Sequence, residues 1–222
     1  MKIMNYIQKR ISFVYVAIFS LLFTGWAGVS VADTLESPVA LLERTSLRVI
    51  QILNDDRELL KKEPERVYKI IDEYILPLLD DVTMAKLALG KNWKNASKEQ
   101  KIIFVGEFKN LLVRTYSKSL IEFRDQSINY FPLILPADAQ KTSVKAEVIQ
   151  PGGPSIPISY RVRLKNNSWK VYDISIDGVS LVTSYRGTFT QEIRKSGIDG
   201  LLEYLRDKNS EMSKKDNISS KT

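Results

Sequence analysis

The side chains that could do chemistry are few. The 222-residue chain has no histidine and no cysteine. That excludes Ser-His-Asp and Cys-His sites and histidine-ligated zinc. A Ser-Lys pair, a carboxylate pair or an all-oxygen metal site remains open. Asp72-Glu73 and Asp80-Asp81 are the nearest paired acids. Asp72 and Glu73 are adjacent on an expected helix and diverge by about 100°, so they cannot share one substrate. Asp80-Asp81 precedes a short expected helix, where aspartate offsets the partial positive charge of the helix start, and capping is the simpler role. Ser180 and Ser184, if Lys170 lies near them, would offer a Ser-Lys hydrolase as an alternative. Gly152-Gly153 is flanked by prolines and leads into no helix, so it reads as a turn and not a phosphate loop. Each of these routes has a simpler structural reading, so no catalytic residue, metal or cofactor is assigned from these residues.

The first 32 residues read as an export address. Lys2, Lys9 and Arg10 give a positive start, Ile11 to Phe23 is almost wholly apolar, and Ser30-Val31-Ala32 offers the small residues of a cleavage site. The apolar run is short of the roughly 20 residues that span a bilayer, which favours a cleaved signal over a retained anchor. Asp33 would begin the mature chain. The formal charge is +7; the signal supplies three of these, which leaves about +4. The charges alternate along the chain, so a nucleic-acid partner is not expected. Export without cysteine fits a Gram-negative periplasm better than a disulfide-rich extracellular space.

Helical signals dominate the first half. Ser37 with Pro38 opens a helix, and Val39, Leu42, Val49 and Leu53 follow at helical spacing. Pro64 opens the next, with Val67, Ile70, Ile71, Tyr74, Ile75 and Leu78 in one stripe that Pro77 should kink or end near Leu76. A short helix over 82–89 is closed by Gly90. Ser97 and Gln100 are spaced as a capping box for the longest helix, which ends near Arg124. Four β-type stretches follow, at 128–135, 142–150, 155–165 and 169–176.

An Asn166-Asn167 turn places Leu164 opposite Trp169, Val162 opposite Val171 and Tyr160 opposite Asp173. Arg161, Arg163 and Lys170 then share the other face, either as a docking surface or as an ordinary solvated face. Ile174 and Ile176 also fall there unless a bulge intervenes. A helix stopped by Gly197, a short one over 200–206 capped by Asp199, and a polar tail complete the chain. The fold class is α+β: helices packed on one face of a twisted four-stranded antiparallel sheet. The domains are a signal at 1–32, a single domain at 33–207 and a disordered tail at 208–222. Taken alone, the apolar stripes describe an ordinary core as well as a ligand cavity.

Several motifs occur together in order. They are Ala88-Leu89-Gly90 with Trp93, then Gln100, Phe104, Phe108, Leu112 and Tyr116. Tyr160-Arg161 and Trp169-Lys170-Val171-Tyr172-Asp173-Ile174 follow, then Ile176-Asp177-Gly178-Val179-Ser180-Leu181-Val182, Tyr185-Arg186, Phe189, Gly197, Leu201, Leu202 and Leu205. This set resembles the MlaC or toluene-tolerance family over roughly residues 37–206. Asp177 departs from the glutamate frequent there, and the tail after Lys208 is outside the pattern.

The resemblance implies a monomeric, non-enzymatic periplasmic protein with phospholipid as its cargo. It implies transfer between an outer-membrane Mla lipoprotein-porin complex and an inner-membrane Mla ABC transporter, which maintains outer-membrane lipid asymmetry. The apolar lipid pocket is then expected to be lined by Phe104, Phe108, Leu112 and Tyr116 from the long helix. Tyr160, Val162, Trp169 and Val171 of the sheet face them, with Val179, Val182, Tyr185 and Phe189 on one side and Met84 and Leu87 on another. The competing readings are a hydrolase using Ser180 or the paired acids, and an envelope assembly factor that binds protein only.

Overall fold

The computed structural model describes residues 35–123 and 126–219, so the expected signal at 1–32 lies outside the described residues. Helix α1 is Pro38–Asp55; Ser37 is extended and accepts the Ala40 N–H at 3.1 Å, with Pro38 in the first turn. Asp56 breaks it, and α2, Arg57–Lys62, and α3, Arg66–Ile70, follow. Pro77 does not simply stop the helix. It lacks an N–H and its ring would strike the preceding turn, and the chain widens into a π turn, Ile71–Ile75, and then a 3-10 turn, Leu76–Leu78. Helix α4 is Asp81–Leu89, and Gly90 at φ 56° and ψ −127° ends it in a conformation that suits only glycine. The 24-residue α5, Lys98–Ile121, starts on a capping box in which both Ser97 and Gln100 bonds are made, and it ends three residues before the expected Arg124.

The sheet is an antiparallel meander in chain order: β1, Ser127–Tyr130; β2, Lys141–Ile149; β3, Ile156–Lys165; β4, Ser168–Ile176; and β5, Val179–Ser180. Five strands stand where four were expected. Asp177 and Gly178, both at positive φ, fold the chain back so that Ser180 pairs with Ser175. β1 leaves the sheet at Tyr130, just before Pro132, instead of running on to Leu135. Asn166 and Asn167 form the β3–β4 turn at φ 51° and 57°.

Leu164 lies opposite Trp169 and Val162 opposite Val171, as their spacing predicts, but Arg161 then pairs with Asp173 and Tyr160 with Ile174. Tyr172 is the extra residue of a bulge. Without it Ile174 would fall on the basic face; with it, Ile174 joins Tyr160 on the apolar face.

α6, Leu181–Ser219, bends at Gly197 (φ 73°) and continues well past residue 206. The polar tail expected from Lys208 is therefore helical through Ser219. Its reason lies in the spacing: Leu205, Asn209, Met212 and Asp216 extend one helical stripe, and Met212 packs against the buried core. Polar composition alone does not show that stripe.

Three apolar clusters hold the fold. One joins α4, α5 and α6 around Phe104, Phe108 and Phe189. A second sets Leu42 of α1 on Val144, Val162, Trp169 and Val171 of the sheet. A third joins α1 to α3 and the π turn through Val49, Leu53, Val67, Ile70 and Ile71.

Asp80 ties the helices to the sheet edge. Its N–H donates to the Val171 carbonyl at 2.8 Å. Its carboxylate, 1% exposed, accepts from Thr83 Oγ1 at 2.7 Å, Lys165 Nζ at 3.0 Å and, at 3.5 Å, Arg163. Asp80 thus caps α4 and also anchors two cations of β3. Burial alone would raise its pKa, but the hydrogen bonds from Thr83 and Lys165 outweigh burial and hold the carboxyl below its ordinary value. The folded state therefore binds this proton more weakly than the unfolded chain does. The resulting stabilisation is complete above about pH 4 and is lost as pH falls through the folded value. Asp80→Asn should cost about 2 kcal/mol at pH 7, and urea unfolding should show that difference shrinking below pH 4. A difference independent of pH would contradict it.

Candidate functional site

Helix α1 presents Leu42, Thr45, Ser46, Val49, Ile50 and Leu53, which recur at alternating three- and one-residue intervals along a single helical face, and that face is not fully packed. Together with Ile75 and Leu78 of the kinked segment, Leu120 and Phe123 at the end of α5, and Ile128, Tyr130, Tyr160 and Ile174 of the sheet, it bounds a cavity of about 230 Å³. The kink at Pro77 turns Ile75 and Leu78 toward this space, and the bulge at Tyr172 brings Ile174 beside Tyr160. Among the described residues, no charged side chain lines it.

The polar side chains in the wall are few: Thr45, Ser46, Tyr130 and Tyr160. Tyr130 and Tyr160 stack with ring centroids 6.2 Å apart. The Tyr130 hydroxyl lies 3.2 Å from Ser46 Oγ and 3.4 Å from the Leu42 carbonyl, a polar tie between sheet and helix. Burial, followed by the neighbouring Tyr130 hydroxyl, pushes Tyr160 far above the ordinary phenol range. Burial likewise raises Tyr130. Both stay neutral at physiological pH. Such a wall can hold hydrocarbon, at about 0.8 kcal/mol per buried methylene.

The residues expected to line a pocket divide between two places. Tyr160 lines the cavity. Val162, Trp169 and Val171 share its sheet face but are packed beneath Leu42. Phe104, Phe108, Val182 and Phe189 are wholly buried in the α4–α5–α6 core, with Met84, Leu87, Leu112 and Tyr185 around them. Met84, Phe108 and Leu112 border a crevice of about 30 Å³, the share of liquid volume of roughly one water. Tyr116 lies beside Tyr185, which, after burial, raises its pKa. Val179, on the two-residue strand β5, is 61% exposed and lines neither this cavity nor that crevice.

Rotation of α5 explains the division. Residues four apart drift by about 40° per step, so Leu120 points about 160° away from Phe104. The stripe that reads as one face begins against α6 and ends at the cavity. The α1 face is absent from the expected lining, although its apolar members were visible as a stripe.

The candidate chemical groups have structural roles. Ser180 Oγ donates to both Asp173 oxygens at 2.8 Å and accepts the Thr183 N–H at 3.1 Å, which caps α6. Asp72 and Glu73 are exposed on the π turn. Arg161 pairs with Asp173 at 3.5 Å and lies 4.9 Å over the Tyr172 ring, and Lys170 Nζ donates to the Pro77 carbonyl at 2.6 Å. The basic face is thus partly bound into the fold. No cluster of three or more metal-ligating side chains occurs among the described residues, and none of their helices is long and apolar enough to cross a membrane.

Fold and site together define an α+β protein with a mainly apolar cavity between a helix and its sheet. Residues 43–207 match the model of the MlaC protein family, and the chain belongs to that family. It is 24% identical over 202 residues to the intermembrane phospholipid transport system binding protein MlaC of Haemophilus influenzae, covering 90% of this chain and 93% of that one. It is 23% identical over 165 residues to the toluene tolerance protein ttg2D of Pseudomonas putida, covering 74% and 76%. The structure superposes, with a TM-score of 0.73 and 30% identity, on a phospholipid-binding protein of Ralstonia solanacearum solved in complex with a phospholipid; the match covers 80% of this chain and 99% of that one.

Proposed function

We propose that this protein is a periplasmic carrier that holds glycerophospholipid by its acyl chains and passes it between outer-membrane and inner-membrane Mla complexes, which preserves outer-membrane lipid asymmetry. It binds and releases without turning the lipid over. The observation that carries this reading is the mainly apolar cavity, set in a fold shared with a protein solved with phospholipid bound.

Free diffusion of a diacyl lipid through water is prohibitive at about 0.8 kcal/mol per methylene. A carrier needs only to match the bilayer, because the tails are equally dry in both. A cavity of about 230 Å³ lies below the ~300–1,000 Å³ typical of ligand sites, so two acyl chains require the wall to move outward. Helix α1 is the natural moving wall, since among the described residues it meets the sheet through apolar contacts and the Tyr130 tie. The head group then sits at the mouth, in water.

Protein purified from a Gram-negative periplasm and measured by native mass spectrometry should carry about one phospholipid per molecule. Protein that is lipid-free, and that also takes none from vesicles, would overturn the proposal.

A further inference from the structure

The family match ends at residue 207, yet α6 runs to Ser219. Its last turns are docked. Asn209, 8% exposed, donates to the Glu107 carbonyl at 3.0 Å and to the Glu107 carboxylate at 2.7 Å. Met212 packs against the helical core. One stripe position further on, Asp216 accepts the Tyr68 hydroxyl at 2.6 Å and Arg114 at 3.1 Å, and the Arg114 guanidinium lies 5.5 Å over the Tyr68 ring. Three elements distant in sequence therefore meet on one carboxylate.

Two of these elements lead to the cavity. Tyr68 is on α3, which continues through the π turn to Ile75 and Leu78 of the wall. The same stretch packs Val67, Ile70 and Ile71 against Val49 and Leu53 of α1. Arg114 is on α5, whose end supplies Leu120. π turns recur at functional sites, and this one runs from just past the clamped residue to Ile75 in the wall.

We infer that Asp216 is a positioning residue, which clamps α3 to α5 and so governs how readily the cavity wall widens for lipid. The inference rests on the carrier reading above. The clamp is of modest strength. Side-chain exposures of 27% for Arg114 and 43% for Asp216 make the ion pair weak, and the short bond from Tyr68 to a charged acceptor is the stronger part. A modest tie suits the role: it closes the wall in transit and breaks at handover.

The test uses the full mature chain loaded with phosphatidylethanolamine carrying a fluorescent acyl chain. Release into phosphatidylcholine–phosphatidylglycerol vesicles is timed for Asp216→Ala, Tyr68→Phe, the double variant and Asp216→Glu. Each single variant should release lipid about three- to tenfold faster. The double variant should be no faster than the faster single one, because both remove the same bond. Asp216→Glu should recover most of the wild-type rate. Amide exchange should quicken over residues 66–78 and stay unchanged in the sheet, with Tm falling by no more than about 5 °C. Wild-type release with unchanged exchange overturns the inference. So does a general loss of stability in which exchange quickens everywhere. If the wild-type protein takes up no phospholipid, the carrier reading fails, and exchange over 66–78 still decides whether the clamp exists.

Discussion

Thr45→Trp and Ile174→Trp should each give a folded protein carrying about a tenth or less of the wild-type phospholipid, a deficit of at least ~1.4 kcal/mol in binding. The two positions lie on opposing walls, one on α1 and one on β4, and both side chains border the cavity. An indole from either wall occupies space that acyl chains would need. Inserting bulk into a close-packed interior costs about 1–3 kcal/mol. Here the added ring enters an existing cavity, so the cost falls at the low end and the fold survives. Helix and strand both accept tryptophan at these sites without backbone strain. Native mass spectrometry reads the lipid content directly, and circular dichroism checks the fold. Wild-type lipid content in both variants would mean that the lipid sits elsewhere.

Phe104→Ala should do the opposite: lower stability sharply and leave the lipid carried per folded molecule unchanged. Phe104 is wholly buried. It stacks on Phe108 at 5.7 Å and meets Phe189 edge-on at 5.5 Å. Removing a buried aromatic ring from a packed core costs about 3–5 kcal/mol. For a chain of this size that lowers Tm by roughly 8–16 °C, and urea unfolding gives the same quantity independently. The pair of experiments separates the two apolar regions: one set of changes moves lipid and spares stability, the other does the reverse. A Phe104→Ala protein of full stability that had lost its lipid would instead place the cargo in the helical core.

Much of the fold was legible in local signals. Ser37-Pro38, Asp80, the Ser97–Gln100 box and Gly90 each act where their chemistry predicts, because a cap needs only residues three or four positions away. The Asn166-Asn167 turn and the first pairs of its hairpin are equally local. The bulge at Tyr172 was foreseeable only as a way out of a conflict, since a simple register would have put Ile174 among arginines. The helical end of the chain was missed because Asn209 and Asp216 are polar, and what orders them is Glu107, Tyr68 and Arg114, more than a hundred residues away in sequence.

The cavity's position was the least legible feature. Every apolar stripe in the chain can face either a partner or a space, and the stripe does not say which. Phe104 and Leu120 lie on one four-residue repeat, yet the helix turns them to opposite sides, one into solid packing and one onto the cavity.

By itself the sequence determined the absence of histidine and cysteine, and with it the absence of the commonest catalytic sets; it also determined where the helices begin and where the hairpins turn. These follow from composition and from interactions within a few residues. Only the tertiary structure decided that Ser180 spends its hydroxyl proton on Asp173, that Asp80 anchors two strand cations, and that α1, the kinked segment and the sheet leave a mainly apolar space between them. Those outcomes depend on how surfaces far apart in the chain pack together, and a cavity is what remains where that packing stops short.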